Sequence, residues 1–122
     1  LKTNLMNIEE FRTYCLSKKH VSESFPFDQQ TLVFKVGDKM FSLTSLEKHP
    51  TSVNLKCDPE RAIELRDSHS EITAGYHMSK KHWNTIVIES SLPHQLLKEL
   101  IDHSYELVVS GMTKKQRTEL ES

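Results

Sequence analysis

Residues 31–45 read T-L-V-F-K-V-G-D-K-M-F-S-L-T-S: two runs of β-favouring residues with only Gly37-Asp38 between them. A two-residue connection joins antiparallel strands directly, and it needs a positive φ that glycine supplies without strain. The loop length also sets the register. Val36 is expected opposite Lys39, Phe34 opposite Phe41 and Leu32 opposite Leu43. Leu32, Phe34, Phe41 and Leu43 then share a core face, and Val33, Lys35, Met40 and Ser42 share a more polar one. That is the pattern of a half-buried antiparallel sheet.

The flanking chain supplies helices. Asn7 followed by Glu10 has the spacing of a capping pair, and Ile8, Phe11 and Cys15 recur at helical intervals, so a first helix is expected to run to about Lys18 and Lys19. Val21 to Gln30 reads as a connection whose Phe25-Pro26-Phe27 rings are pinned onto the core, with stacking on a peptide or a base as the alternative. Leu46 to Thr51 is a polar turn with Pro50, and Ser52 to Cys57 a third strand. Asp58-Pro59-Glu60 opens a helix running to about Ser68, with Asp as cap, Pro at the first position and Glu near the positive end of the dipole.

Ile72 to Tyr76 is a short extended piece. Asn84 to Glu89 is the last strand; its consecutive Ile86, Val87 and Ile88 suggest a central strand buried on both faces. Ser91 is the expected cap of a final helix with Pro93 in its first turn, an apolar face of Leu97, Leu100, Ser104 and Val108, and a stop at Gly111. Thr113 to Ser122 reads as a frayed, charged tail. Adjacent strands framed by helices imply one α+β domain over residues 1–122, core 6–112, with a largely antiparallel sheet packed against helices.

Composition narrows the function. Hydrophobic content of 36% and charged content of 27% suit a soluble globular domain. A net charge of -1 argues against coating nucleic acid through overall charge and leaves room for a local basic patch. Cys15 and Cys57 have no metal-type spacing and are expected to be buried, reduced thiols of a cytoplasmic protein. No apolar run is long enough to span a membrane, and the N-terminus lacks a signal pattern. Leu1 to Leu5 precede Met6, a candidate natural start, and carry no structural weight.

Four ordered motifs carry a resemblance: L-V-F-K-V-G-D-K-M-F from Leu32, V-N-L-K-C-D-P-E-R-A from Val53, G-Y-H-M-S-K-K-H-W-N-T from Gly75 and L-P-H-Q-L-L-K-E-L-I-D-H-S-Y from Leu92. With them the chain, from roughly Met6 to Gln116, resembles the MmcQ/YjbR family of small bacterial proteins. The resemblance implies a CyaY-like (frataxin-like) α+β fold, sometimes described as a double-wing DNA-binding arrangement, and a DNA-binding role. It implies no catalytic residues. Frataxins are associated with iron through an acidic first helix. Here that helix offers Glu9 and Glu10 and then turns basic at Arg12, Lys18 and Lys19, so a cation lacks its run of carboxylates.

The stretch from Gly75 to Thr85 concentrates the groups that could touch a partner. Lys80 and Lys81 can neutralise phosphates, Trp83 or Tyr76 can stack on a base, and Asn84 can hydrogen-bond a base edge. Lys35, Lys56 and Lys39 extend the patch if the polar sheet face turns the same way. His77 and His82, five residues apart, share neither a helix face nor a strand face, and no nearby Cys or Asp completes a metal set.

No G-x-S-x-G, P-loop or Rossmann glycine pattern occurs. Cys57 beside Asp58 at a helix start is a nucleophile only if exposed, and as an inward strand residue it is expected to be buried. The reading is a monomeric, non-enzymatic DNA-binding protein without cofactor or metal, using Lys80, Lys81, His82, Trp83 and Asn84, with Lys56 and Lys35 assisting. The alternative is a protein- or small-ligand-binding module that uses the same connection as the wall of an apolar pocket beside Tyr76 and Trp83.

Overall fold

A computed structural model describes residues 5–75 and 78–121. Ten elements follow in chain order: α1 (Ile8–Leu16), β1 (Val21–Ser24), β2 (Thr31–Val36), β3 (Lys39–Ser45), β4 (Ser52–Lys56), α2 (Pro59–Ser68), β5 (Ile72–Ala74), β6 (Trp83–Val87), α3 (His94–Ser110) and α4 (Lys114–Glu121). The strands form one sheet in the order β1-β2-β3-β4-β6-β5, antiparallel throughout. The α+β expectation stands.

Local chemistry sets the helix starts. The side chain of Asn7 accepts the Glu10 N–H at 2.8 Å while Glu10 accepts the Asn7 N–H at 3.1 Å, closing the capping box. Asp58 accepts the Arg61 N–H at 3.2 Å and Pro59 opens α2. The start of α3 differs from expectation. Pro93 is the cap and no side chain serves it. Ser91 turns to Glu71 instead, and the Ser90 hydroxyl donates to the Val87 carbonyl.

All four helices pack on one face of the sheet. Phe11 of α1 meets Phe34 edge-on at 5.7 Å, and Tyr105 of α3 meets Phe41 at 5.5 Å. Between the layers lie Val53, Leu55, Ile72, Ile86, Leu97 and Ile101, all essentially inaccessible to water. α2 lies over Asn84, and α4 reaches back to Gly37 through Leu120.

Further expectations need correction. The hairpin turn is right, and Val36 pairs with Lys39, but a β-bulge at Phe41 shifts the register beyond it. Phe34 faces Ser42, Val33 faces Leu43 and Leu32 faces Thr44. Ser42 and Thr44 therefore point into the core, while Leu43 joins Val33 on the other face. Second, residues 21–24 are a strand; V-S-E-S forms the sheet edge, where no apolar face is demanded. Third, Phe25 and Phe27 are 47% and 69% exposed, splayed to opposite sides of Pro26 rather than pinned inside.

Fourth, β6 lies inside the sheet but is covered on one face only: Asn84 and Ile86 are buried, whereas Trp83, Thr85 and Val87 are partly open. Residues 114–121, read as tail, form a helix opened by Thr113 and Gln116, each accepting the other's N–H.

Candidate nucleic-acid interface

The strand pairing decides which predicted residues meet. Lys56 is directly opposite Trp83 in the β4–β6 ladder, with both side chains on the helix-free face. Lys35, between the inward Phe34 and Val36, faces the same way and pairs with Met40. The polar face thus turns Lys35 and Lys56 toward the basic stretch, whereas Lys39, paired with the inward Val36, lies on the other face.

Just before Trp83 the chain makes a tight turn that is held from two sides. The Trp83 and His82 N–H groups donate to the Ser79 carbonyl at 2.9 and 3.2 Å. The His82 carbonyl accepts the Cys57 N–H at 2.8 Å. The Arg66 guanidinium, from the last turn of α2, donates to the Lys80 carbonyl at 3.0 Å. With its backbone fixed, the turn projects Lys80, Lys81 and His82 into water. Among the described residues the ion pairs join Arg12 to Glu23 and Lys18 to Asp102; Lys35, Lys56, Lys80 and Lys81 take part in neither.

Trp83 sits where it does because residue 75 is glycine. A Cβ there would lie 2.8 Å from the Trp83 Cβ, and the Gly75 N–H donates to the Trp83 carbonyl at 2.8 Å. The aromatic residue crosses the glycine backbone and keeps its side chain half-buried.

Asn84 does not belong to this set. It is 1% exposed and lies on the opposite face, where its carbonyl accepts from Arg66 at 3.1 Å and its amide donates to the Ala62 carbonyl at 3.4 Å. Strand alternation sends it under α2, so it has no route to a base edge. Tyr76 and His77 lie outside the described residues.

The cysteines are both buried. Burial pushes the Cys15 thiol well above its ordinary range and raises that of Cys57 too, the nearby Arg61 only partly opposing it. Among the described residues, no three His, Cys, Asp or Glu side chains come together as a metal set would. Nor is any helix there long and apolar enough to cross a membrane.

The same sheet face carries a cavity of about 460 Å³. Met40, Leu43, Asn54 and Thr85 form its floor, Met78 and Phe27 its walls, and Ser45 and Ser52 part of its rim. The cavity lies beside Thr85, two residues along the strand from Trp83, where an apolar pocket is expected from the sequence. Nothing in the sequence marks Asn54 or Met78 for this role, Leu43 reads as a core residue, and Phe27 reads as a loop ring with stacking as the alternative. The register shift at Phe41, which turns Leu43 outward, is what hid the floor.

Fold and face define a class: small α+β domains with every helix on one side of an antiparallel sheet and the other side left open. The chain belongs to the YjbR family, whose model matches residues 16–107. It is 32% identical over 112 residues to Escherichia coli K12 "Uncharacterized protein YjbR", covering 92% of this chain and 95% of that protein. To "Uncharacterized protein YbdF" of Escherichia coli O157:H7 it is 34% identical over 109 residues, 89% of each. The crystal structure of Deinococcus radiodurans protein DR2400, of domain DUF419, superposes with a TM-score of 0.89 at 43% identity, over 99% of this chain and 92% of that one.

Proposed function

We propose that the protein is a non-enzymatic, monomeric, cytoplasmic DNA-binding protein whose contact surface is the helix-free sheet face and the turn that continues it. The observation that carries this reading is the direct pairing of Lys56 with Trp83 on that face, beside the projecting Lys80, Lys81 and His82. Lysines neutralise phosphates without reading sequence, and an indole face stacks on any base, so the binding is weak and sequence-tolerant. Lys35 widens the positive surface along the sheet. Two buried thiols of raised pKa supply no ready nucleophile, which favours binding over catalysis.

The test is a titration with labelled DNA at low and near-physiological salt, beside the Lys80→Glu, Lys81→Glu variant. Binding that weakens steeply with salt and is lost in the variant supports the proposal. No binding at low salt overturns it.

The cavity favours a second reading, a small-ligand module with no nucleic-acid role, because its volume falls in the range of about 300–1,000 Å³ usual for such sites. The double variant separates the two: a small ligand held beside Asn54 and Thr85 would keep its affinity.

A further inference from the structure

We infer that the cavity beside the basic turn receives one unstacked nucleobase, so that the favoured partner is a single strand rather than a duplex. The inference deepens the nucleic-acid reading and rests on it.

Position is the first argument. Asn54 and Thr85 are the next pair along β4 and β6 on the face that carries Lys56 and Trp83, about 7 Å away at two residues per step of the pleat. A strand whose backbone meets Lys56 and the 80–81 turn has the cavity within reach of a neighbouring base.

The lining is the second. Met40 and Met78 place thioethers, and Phe27 a ring that is 69% exposed, around the opening. Sulfur against an aromatic edge and ring against ring both favour a flat aromatic guest over an aliphatic one. The floor is polar in a particular sense. The carbonyl of Asn54 already accepts the Thr85 hydroxyl at 2.6 Å, so Asn54 has its amide N–H groups left to offer a guest. Ser45 and Ser52 bring hydroxyls that donate or accept. The one carboxylate in the lining, Asp28, is engaged within its own loop, accepting from the Gln30 and Thr31 N–H groups and the Thr31 hydroxyl. Lys48 adds a positive charge at the lining, suited to the phosphate that follows a base. The cavity thus offers apolar walls, hydrogen-bonding groups and one cation, which is what a nucleotide unit of a single strand needs.

Geometry also excludes the duplex from the cavity. A paired base is covered by its neighbours in the stack and must leave it to enter a concave site.

The experiment uses the full chain with an oligonucleotide carrying 2-aminopurine, offered as a single strand and as a duplex, beside free adenosine monophosphate. Two variants probe the cavity: Leu43→Trp, which fills it, and Asn54→Leu, which removes the amide; circular dichroism and thermal melting confirm that each is folded. The expected result is tighter binding of the single strand, a rise in 2-aminopurine fluorescence as the base leaves its stack, and a roughly tenfold loss of single-strand affinity in either variant with a much smaller loss for the duplex.

Equal affinity for the two forms, or variants that leave their ratio untouched, overturns the inference while the Lys80→Glu, Lys81→Glu result still decides the phosphate surface. Adenosine monophosphate bound as tightly as the oligonucleotide also overturns it, making the cavity a mononucleotide site. Failure of both DNA forms to bind at low salt removes the nucleic-acid reading itself.

Discussion

Ser104 donates its hydroxyl to the carbonyl of Phe41 at 2.6 Å. The same oxygen accepts the Lys56 N–H at 2.9 Å. One small side chain on α3 therefore satisfies the bulge in β3 and the end of β4 together. Bulged residues lose their ladder partner, and a buried group left unpaired is costly. The bulge that turns Leu43 toward the open face is supported from behind by a serine in the core.

Removing that hydroxyl leaves both groups without a partner. Ser104→Ala is expected to lower stability by about 1–3 kcal/mol, the range for a buried polar group left unsatisfied. Urea denaturation measures it through the midpoint, and an unchanged slope would confirm that the unfolded state is not the cause.

Ser42 predicts the opposite sign. It is fully buried between Phe34 and Leu55, and its hydroxyl has no hydrogen-bond partner. Ser42→Ala removes a desolvated group and is expected to stabilise the fold by about 1 kcal/mol. Destabilisation on urea unfolding would show that the hydroxyl is satisfied in solution.

His103 confers a pH dependence. Its Nε2 accepts the Asp58 N–H at 3.1 Å, joining α3 to the cap of α2, and only the neutral ring has that lone pair. Burial, assisted by Arg61, holds its pKa below the ordinary 6.5, with Asp58 and Glu106 opposing. The unfolded chain therefore takes up the proton first, and stability falls as pH falls through the interval between the unfolded and the lower folded value. This contribution is fully present above the unfolded value. Thermal melting at about pH 7.5 and about pH 5.5 should show a larger drop for the native chain than for His103→Gln, which keeps an acceptor but does not titrate.

Gly37 and Leu120 are coupled. Gly37 has φ 62°, and a Cβ there would lie 2.8 Å from Leu120 Cδ2. Gly37→Ala is expected to cost about 1–2 kcal/mol for the left-handed backbone, plus displacement of α4. In a Leu120→Ala background only the backbone part remains. A double-mutant cycle by chemical denaturation should give a double-mutant effect smaller than the sum of the two single effects. Strict additivity would show that α4 does not rest on the turn.

Features written in local chemistry were legible in the sequence. The Gly37-Asp38 turn, the Asn7–Glu10 box and the Asp58-Pro59 start depend on residues within a few positions of one another. The bulge at Phe41 was not, because it depends on Ser104, distant in the chain. The edge strand V-S-E-S lacks an apolar face, and α4 presents little beyond Leu120 to reveal its packing. At the site, the cluster of Lys80, Lys81, His82 and Trp83 could be found by composition. The exclusion of Asn84 needed the position of α2 and its Arg66. That Lys56 joins the cluster was conditional on a pairing no short motif encodes.

The strand order has a consequence for how the chain assembles. β1, β2 and β3 each pair with the next strand in sequence, so residues 21–56 can close as a meander of short-range contacts. β6 must then enter between β4 and β5. Until it does, the outer edge of β4 shows unpaired backbone donors and acceptors to any other extended chain. During synthesis that edge is made well before its cover, and a ribosome pausing after α2 would hold open a border, closed in the finished sheet, at which two unfinished copies can join.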